Sequence, residues 1–210
     1  MPHSQSFDTI VLKTYDVGEA DRLCVLFTRE RGRLLARASG ARRLQSKLGA
    51  SLLPFQHLTV ELKEGSAGWI VAGVSGRKND STHDINQFTA LEEGIELLLR
   101  LVTDEGALPD VFNITLAFLS ACRDSTAHAS LGYSFALLHC LGLLPEEQEM
   151  EAFGLLRSAD HAYVEGCRNG RITLPEFGCD ITQLLHLRST LLEAHINSPL
   201  RSGRVLEAMR

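Results

Sequence analysis

Nowhere in these 210 residues do apolar side chains run uninterrupted for the roughly 18 positions that a membrane-spanning helix needs. The opening MPHSQSFDTIV lacks the basic stretch followed by an apolar one that marks a secretory leader, so export is not expected. Cysteine is sparse and odd in number. Cys24, Cys122, Cys140, Cys167 and Cys179 are scattered, which fits a reduced cytoplasmic protein better than a disulfide scaffold. There is no G-x-S-x-G, no P-loop, no H-E-x-x-H and no glycine-rich phosphate loop after a strand, so catalysis finds little support. The pair Glu92-Glu93 reads as solvent-facing, and His128, His139 and His186 read as ordinary side chains of helical stretches. Internal repeats and low-complexity tracts are absent as well.

What is present is a packable chain with an uneven charge. Hydrophobic residues make up 44% of it and mean hydropathy is near zero, which predicts a folded core rather than disorder. The length suits one large domain or two small ones. Net charge is −5. Residues 1–80 hold twelve Lys/Arg against eight Asp/Glu, a balance of +4, and the rest of the chain is at −9. The positive charge gathers between Arg29 and Lys47, in RERGRLLARASGARRLQSK, where seven bases face one acid, Glu30. Dense positive charge on an acidic chain points to an anionic polymer, nucleic acid first.

The pattern predicts five short strands and then helices. Asp8 to Tyr15 is rich in β-branched residues. Arg22 to Thr28 is nearly continuous in apolar residues, as in a strand covered on both faces. Arg29 to Gly32 is a tight turn that uses Gly32 for positive φ, and Arg33 to Ala38 pairs back on the second strand. SGARRLQSKLGAS reads as a loop with Gly40 and Gly49 as hinges. A fourth strand lies in LLPFQHLTVELK, where Leu58, Val60 and Leu62 alternate with His57, Thr59 and Glu61. WIVAGVS is the fifth. Five antiparallel strands around an irregular central loop suit a small closed barrel of the oligonucleotide-binding (OB) type. From Ile85 to Thr103 the period changes to 3–4, with Phe88, Leu91, Ile95, Leu98, Leu99 and Val102 on one face. Further helices are expected at Asp110–Arg123, Ser130–Leu141, Ile181–Ala194 and Leu200–Met209. Glycines punctuate residues 146–180, where turns and a small ribbon are expected. The fold class is therefore α+β in two domains, a barrel over residues 1–80 and a helical domain over 81–210.

The phosphate-binding candidates are Arg29, Arg31, Arg33, Arg37, Arg42, Arg43 and Lys47, with Lys13 and Arg22 beside them. Alternation would put Arg29, Arg31 and Arg33 on one face of extended backbone, although the Gly32 turn interrupts it. Arg42, Arg43 and Lys47 fall on the central loop, where an adaptable arm can follow a phosphate backbone. Tyr15, Phe27, Phe55 and Trp69 are available to stack bases. Phe27 and Phe55 read as core from their apolar neighbours, and Tyr15 and Trp69 remain open between the two roles. Cys167 and Cys179 lie near His161 and His186, but structural zinc sites bring ligands in pairs two to four residues apart. Neither cysteine has such a mate, so no metal and no cofactor is expected. Asp16, Glu19 and Asp21 share a turn, the one carboxylate group that could suggest a nuclease.

Taken together, Leu12-Lys13, Gly18-Glu19-Ala20-Asp21-Arg22, Phe27-Thr28, Gly32, Gly40-Ala41-Arg42-Arg43, Ser46, Leu48-Gly49 and Leu53-Pro54-Phe55 resemble the N-terminal domain of the RecO family of bacterial recombination mediators. The resemblance is dense over residues 8–62. Phe112 in LPDVF, SFALLHCLGLLP and SPLRSGRVLEAM echo the family more weakly. It implies an OB domain packed on a helical domain, with a structural role for the Asp16–Asp21 turn. It implies a non-enzymatic protein of DNA repair after damage and of DNA recombination. Such a protein binds single- and double-stranded DNA, anneals complementary strands, and helps to load the RecA recombinase with its partner RecR. It further implies contact with single-stranded-DNA-binding protein and a cytoplasmic place at the nucleoid. Many family members carry a four-cysteine zinc site. Here the C-x-x-C pairs are missing, and residues 146–180 read as a degenerate remnant of that module. The competing reading is a protein–protein adaptor whose basic barrel face docks acidic partners.

Overall fold

A computed structural model describes residues 4–76, 84–103, 106–146, 156–175 and 178–196. The chain divides into two compact units, Met1–Ser81 with Val102–Phe112, and Thr82–Leu101 with Asn113–Arg210.

The first unit is a closed five-stranded barrel. Its strands are β1 (Gln5–Val17), β2 (Asp21–Thr28), β3 (Gly32–Ala38), β4 (His57–Gly65) and β5 (Gly68–Ser75). They close in the order β1-β2-β3-β5-β4. The one parallel contact joins Ala36 to Trp69 and Arg37 to Ile70. This is the OB-type barrel that the strand pattern predicts. β1 is long enough to pair with β2 along one edge and β4 along the other, and its register shifts between Val11 and Lys13. A bulge of this kind bends a strand around a barrel. Phe7, Val11, Leu26, Leu34, Leu58 and Val60 fill the interior. The continuous apolar run of β2 has a simple cause. Leu26 faces the barrel, while Phe27 faces outward onto Phe112 at 5.7 Å, so both are fully buried.

Two glycines close this unit. Gly32 turns β2 into β3 at φ +68°, and a Cβ there would meet the Gly106 carbonyl oxygen at 2.1 Å. The Gly106 N–H donates to the Arg31 carbonyl at 3.0 Å. Gly49 has ordinary φ, but its missing Cβ would sit 1.9 Å from the Ala41 carbonyl oxygen. The segment expected to be an adaptable loop is instead folded onto the barrel. It contains the short helix α1 (Lys47–Ser51), whose N-cap Ser46 accepts from the Gly49 N–H. Ala41, Leu52 and Phe55 are buried beneath it. The sequence reads here as a glycine-hinged loop, and five residues are too few to show a helical period, so α1 went unseen.

The second unit is helical. Its elements are α2 (Ile85–Leu101), the part of α3 (Pro109–Arg123) from Asn113 onward, α4 (Ala129–Cys140), α5 (Ser158–Arg168) and α6 (Ile181–His195). α4 is the central rod, buried on nearly every face. Tyr133 stacks on Phe118 at 4.3 Å and its hydroxyl shares a hydrogen bond with Thr115. α5 corrects the expectation of turns and a ribbon in residues 146–180, and no strand is found there among the described residues. Its buried stripe is Asp160, Tyr163, Val164 and Cys167. One member is an acid that accepts from the N–H groups of Arg157 and Asp180, so apolar spacing alone did not reveal the helix. The helix expected at Leu200–Met209 lies outside the described residues.

Candidate nucleic-acid interface

β3 explains why the basic stretch is not one patch. Leu34, Ala36 and Ala38 point inward, so Arg33, Leu35 and Arg37 point out. Arg33 and Arg37 lie four residues apart, roughly 13 Å along extended backbone. The cations therefore divide between the β2–β3 turn at one end of β3 and the β3–β4 segment at the other.

At the turn, the cations are held by their own domain. Arg29 donates from Nε to Asp8 at 3.0 Å, and its guanidinium lies 4.5 Å above the Phe112 ring. His57 shares a 2.6 Å hydrogen bond with the other Asp8 oxygen. Burial by itself would raise the Asp8 carboxyl. The hydrogen bonds and charges of His57 and Arg29 outweigh it and hold the group below its ordinary value. Arg33 donates to the Thr103 carbonyl at 2.6 Å. Arg31 is exposed and lies 5.4 Å from the Trp69 ring centroid, within cation–π reach.

At the other end several cations act as staples. Arg22 donates to Asp16 and to the carbonyls of Gly49 and Leu52, all at 3.3 Å, and is mostly buried. It thereby satisfies carbonyls at the end of α1 that the helix itself leaves open. Arg42 donates to the Gly18 carbonyl at 2.7 Å and pairs with Asp16 at 3.3 Å. Arg37 pairs with Asp21 at 2.6 Å while remaining 58% exposed. The other Asp21 oxygen accepts the Gly40 N–H at 2.8 Å. The Gly40 N–H and the Arg37 guanidinium hold Asp21 below the usual carboxylate range. Asp16 and Asp21 are thus taken up by arginines and a backbone amide rather than poised for a metal. Among the described residues, no group of three or more His, Cys, Asp or Glu is placed to hold a metal ion.

Lys13, Arg43 and Lys47 remain. All three are exposed and make no side-chain ion pair among the described residues. Lys13 projects from β1 beside the bulge, Arg43 from the turn after Gly40, and Lys47 from the first residue of α1. Of the four aromatic candidates, Phe27 and Phe55 are buried, Trp69 is half-buried against Phe7 and Arg31, and Tyr15 is 49% exposed. Asp21 has the structural role that the resemblance implies, since it anchors the turn that carries Arg43. The sequence reading missed Leu35, an apolar side chain left 55% exposed on a strand. Strict alternation in β3 carries the signal for Leu35.

Among the described residues, the helical unit does not bring together the cysteines that a four-cysteine zinc set needs. Cys167 is fully buried and its thiol is pushed up to about 12 by burial. Cys179 donates from Sγ to the Ala159 carbonyl. A cavity of about 550 Å³ in this unit is lined by Glu93 and Arg188, paired at 2.7 Å, together with Gln87, Ser125 and His128.

Residues 1–91 match the family model described as Recombination protein O N terminal.

Proposed function

From the match of residues 1–91 we propose that this chain is a member of the RecO family of DNA recombination and repair, and that the protein is a DNA-binding recombination mediator. The observation that carries the reading is the set of cations without an ion pair among the described residues, Lys13, Arg43 and Lys47, on the outside of an OB-type barrel. Arg31 on Trp69 and the half-paired Arg37 extend it. These groups neutralise phosphates of single- and double-stranded DNA. Reduced repulsion between two coated strands then allows complementary bases to anneal, without covalent chemistry and without a metal. The product serves RecA loading together with RecR at the nucleoid in the cytoplasm.

Arg22 and Arg42 support this site indirectly by holding the β3–β4 segment in place. Arg29 and Arg33 hold Asp8 and the Thr103 carbonyl on the same unit. Arg100, Arg123, Arg188 and Arg201 are the cations of residues 81–210 that could dock the acidic tail of single-stranded-DNA-binding protein; of these, Arg100 pairs with Glu96 and Arg201 lies outside the described residues. Arg123 closes α3. Arg188 lines a cavity but pairs with Glu93 at 2.7 Å and is mostly buried, so it is no freer than Arg100.

Fluorescence anisotropy with a labelled single strand at two salt concentrations tests the DNA reading. Arg43→Ala with Lys47→Ala weakens binding to all sequences. It also flattens the slope of log K against log salt by about 1.4, at about 0.7 per lost phosphate contact. Wild-type affinity and slope in the variant would remove this segment from the site. A wild-type protein that binds no DNA at moderate salt would favour the adaptor.

A further inference from the structure

The tip of the basic segment between β3 and β4 carries a side chain that phosphate binding does not use. Leu44 stands 106% exposed, wholly in solvent, whereas the other exposed large apolar side chains among the described residues lie between 36% and 62%. Its setting is not a loose loop. Leu44 and Gln45 are the two central residues of a turn closed by the Ser46 N–H, which donates to the Arg43 carbonyl at 2.9 Å. Before the turn, the Arg42 N–H donates to the Ala20 carbonyl at 2.9 Å and the Arg42 guanidinium to the Gly18 carbonyl at 2.7 Å. After it, Ser46 caps α1, and Gly49 lies so close to the Ala41 carbonyl that a Cβ there would stand 1.9 Å from the oxygen. The leucine is thus held out on a braced tip. Exposed Arg43 precedes it and exposed Lys47 follows it, and no Asp or Glu occurs between Arg31 and Val60.

We propose that Leu44 is a wedge that enters between two stacked base pairs of duplex DNA while Arg43 and Lys47 hold the phosphates beside it. The proposal rests on the DNA-binding reading and adds to it a contact with the base stack and a distortion of the duplex. An apolar side chain inserted at a base step partly unstacks it and kinks the duplex. That distortion is easy at pyrimidine–purine steps and hard in stiff A-tracts. Phosphate contacts by themselves carry no sequence information, so a dependence on the deformability of one step belongs to the wedge. The charge around the tip suits a polyanion, and a base step suits it better than a lipid surface. One leucine buries much less hydrocarbon than a single acyl chain, which on its own binds a bilayer only marginally. An opened step also gives a second strand access to base edges.

The test uses the full chain and two duplexes of equal length, one with a central TA step and one an A-tract, each with 2-aminopurine at its centre. The wild type raises 2-aminopurine emission in the TA duplex, as unstacking does. Leu44→Ser abolishes the rise and lowers affinity for the TA duplex by about tenfold, the effect of leaving one leucine unburied. Its affinity for the A-tract duplex is unchanged. The slope of log K against log salt also stays at the wild-type value, because no phosphate contact is lost. Leu44→Met, which keeps the apolar bulk, retains the rise. Urea midpoints followed by Trp69 emission confirm that both variants are folded. Binding of the wild type with no rise in emission, an equal loss on both duplexes, or a flattened salt slope would overturn the wedge while leaving DNA binding standing. Binding to phosphatidylglycerol vesicles that depends on Leu44, in place of the rise, would overturn it in favour of a membrane contact. Failure of the wild type on both duplexes would instead remove the DNA reading itself.

Discussion

Asp21 occupies an unusual place for an acid beside a DNA-binding segment. Its two oxygens take the Gly40 N–H and the Arg37 guanidinium, and Gly40 begins the turn that presents Arg43. Simple electrostatics says that deleting a negative charge near phosphates strengthens binding. The geometry says the opposite, because without Asp21 the turn loses its anchor. Asp21→Ala therefore lowers DNA affinity several-fold in an anisotropy titration, and Asp21→Asn, which keeps the acceptor for Gly40, retains most of it. A gain in affinity for Asp21→Ala would show that the acid merely opposes phosphate. Gly32 and Gly18 give a second contrast at this scale. Both have positive φ, but a Cβ at Gly18 meets nothing within 4 Å, whereas one at Gly32 runs into Gly106. Gly18→Ala costs about 1 kcal/mol of backbone strain. Gly32→Ala costs about 2–4 kcal/mol, because a clash with backbone is added to that strain. Urea midpoints followed by Trp69 emission separate the two, and equal shifts would mean that the Gly106 contact yields freely.

Among the elements, the β3–β4 segment is where charge and architecture are most easily confused. The sequence shows Arg22, Arg42, Arg43 and Lys47 as one kind of residue. The fold gives two of them carbonyl partners and leaves two in solvent. Arg22→Ala is expected to lower barrel stability by about 1–2 kcal/mol, since it leaves the Gly49 and Leu52 carbonyls unpartnered. Lys47→Ala stays within about 0.5 kcal/mol of wild type, as an exposed substitution should. Denaturation of both variants in urea checks the difference, and equal stability would mean that the Arg22 bonds contribute nothing net. The legible parts of the fold were those in which one period governs an element. Alternation in β3 and β4, the glycine turn at Gly32 and the 3–4 spacing in α2 belong to that group. α1 was hidden by its five-residue length. α5 was hidden because Asp160 stands where an apolar residue would have completed the stripe. Which arginines are staples could not be read, because the carbonyls they meet come from residues some 24 to 30 positions away.

At the scale of the molecule, the two units carry different titratable groups, and pH separates them. In the barrel, Asp8 and Asp21 ionise more readily folded than unfolded. Their contribution is complete above the unfolded carboxylate value of about 3.9 and disappears as pH falls through their lower folded values. In the helical unit, burial pushes the thiols of Cys122 and Cys167 up to about 12 and raises the phenols of Tyr133 and Tyr163 still further. These groups ionise more easily in the unfolded chain. Their neutral burial thus favours folding below about pH 8.5, the unfolded thiol value, and this advantage is lost as pH rises from there toward the folded values. The barrel has one such thiol, Cys24, pushed up to about 11. Trp69 is the sole tryptophan and lies in the barrel, while circular dichroism at 222 nm follows the helices. Between pH 8 and 10 the urea midpoint seen at 222 nm is expected to fall further than the Trp69 midpoint. As pH falls below about 3.9 the Trp69 midpoint falls, because Asp8 and Asp21 take up protons more readily in the unfolded chain. Midpoints that coincide at every pH would show that the two units unfold as one. The buried thiols would then report on the whole chain rather than on the unit that encloses them.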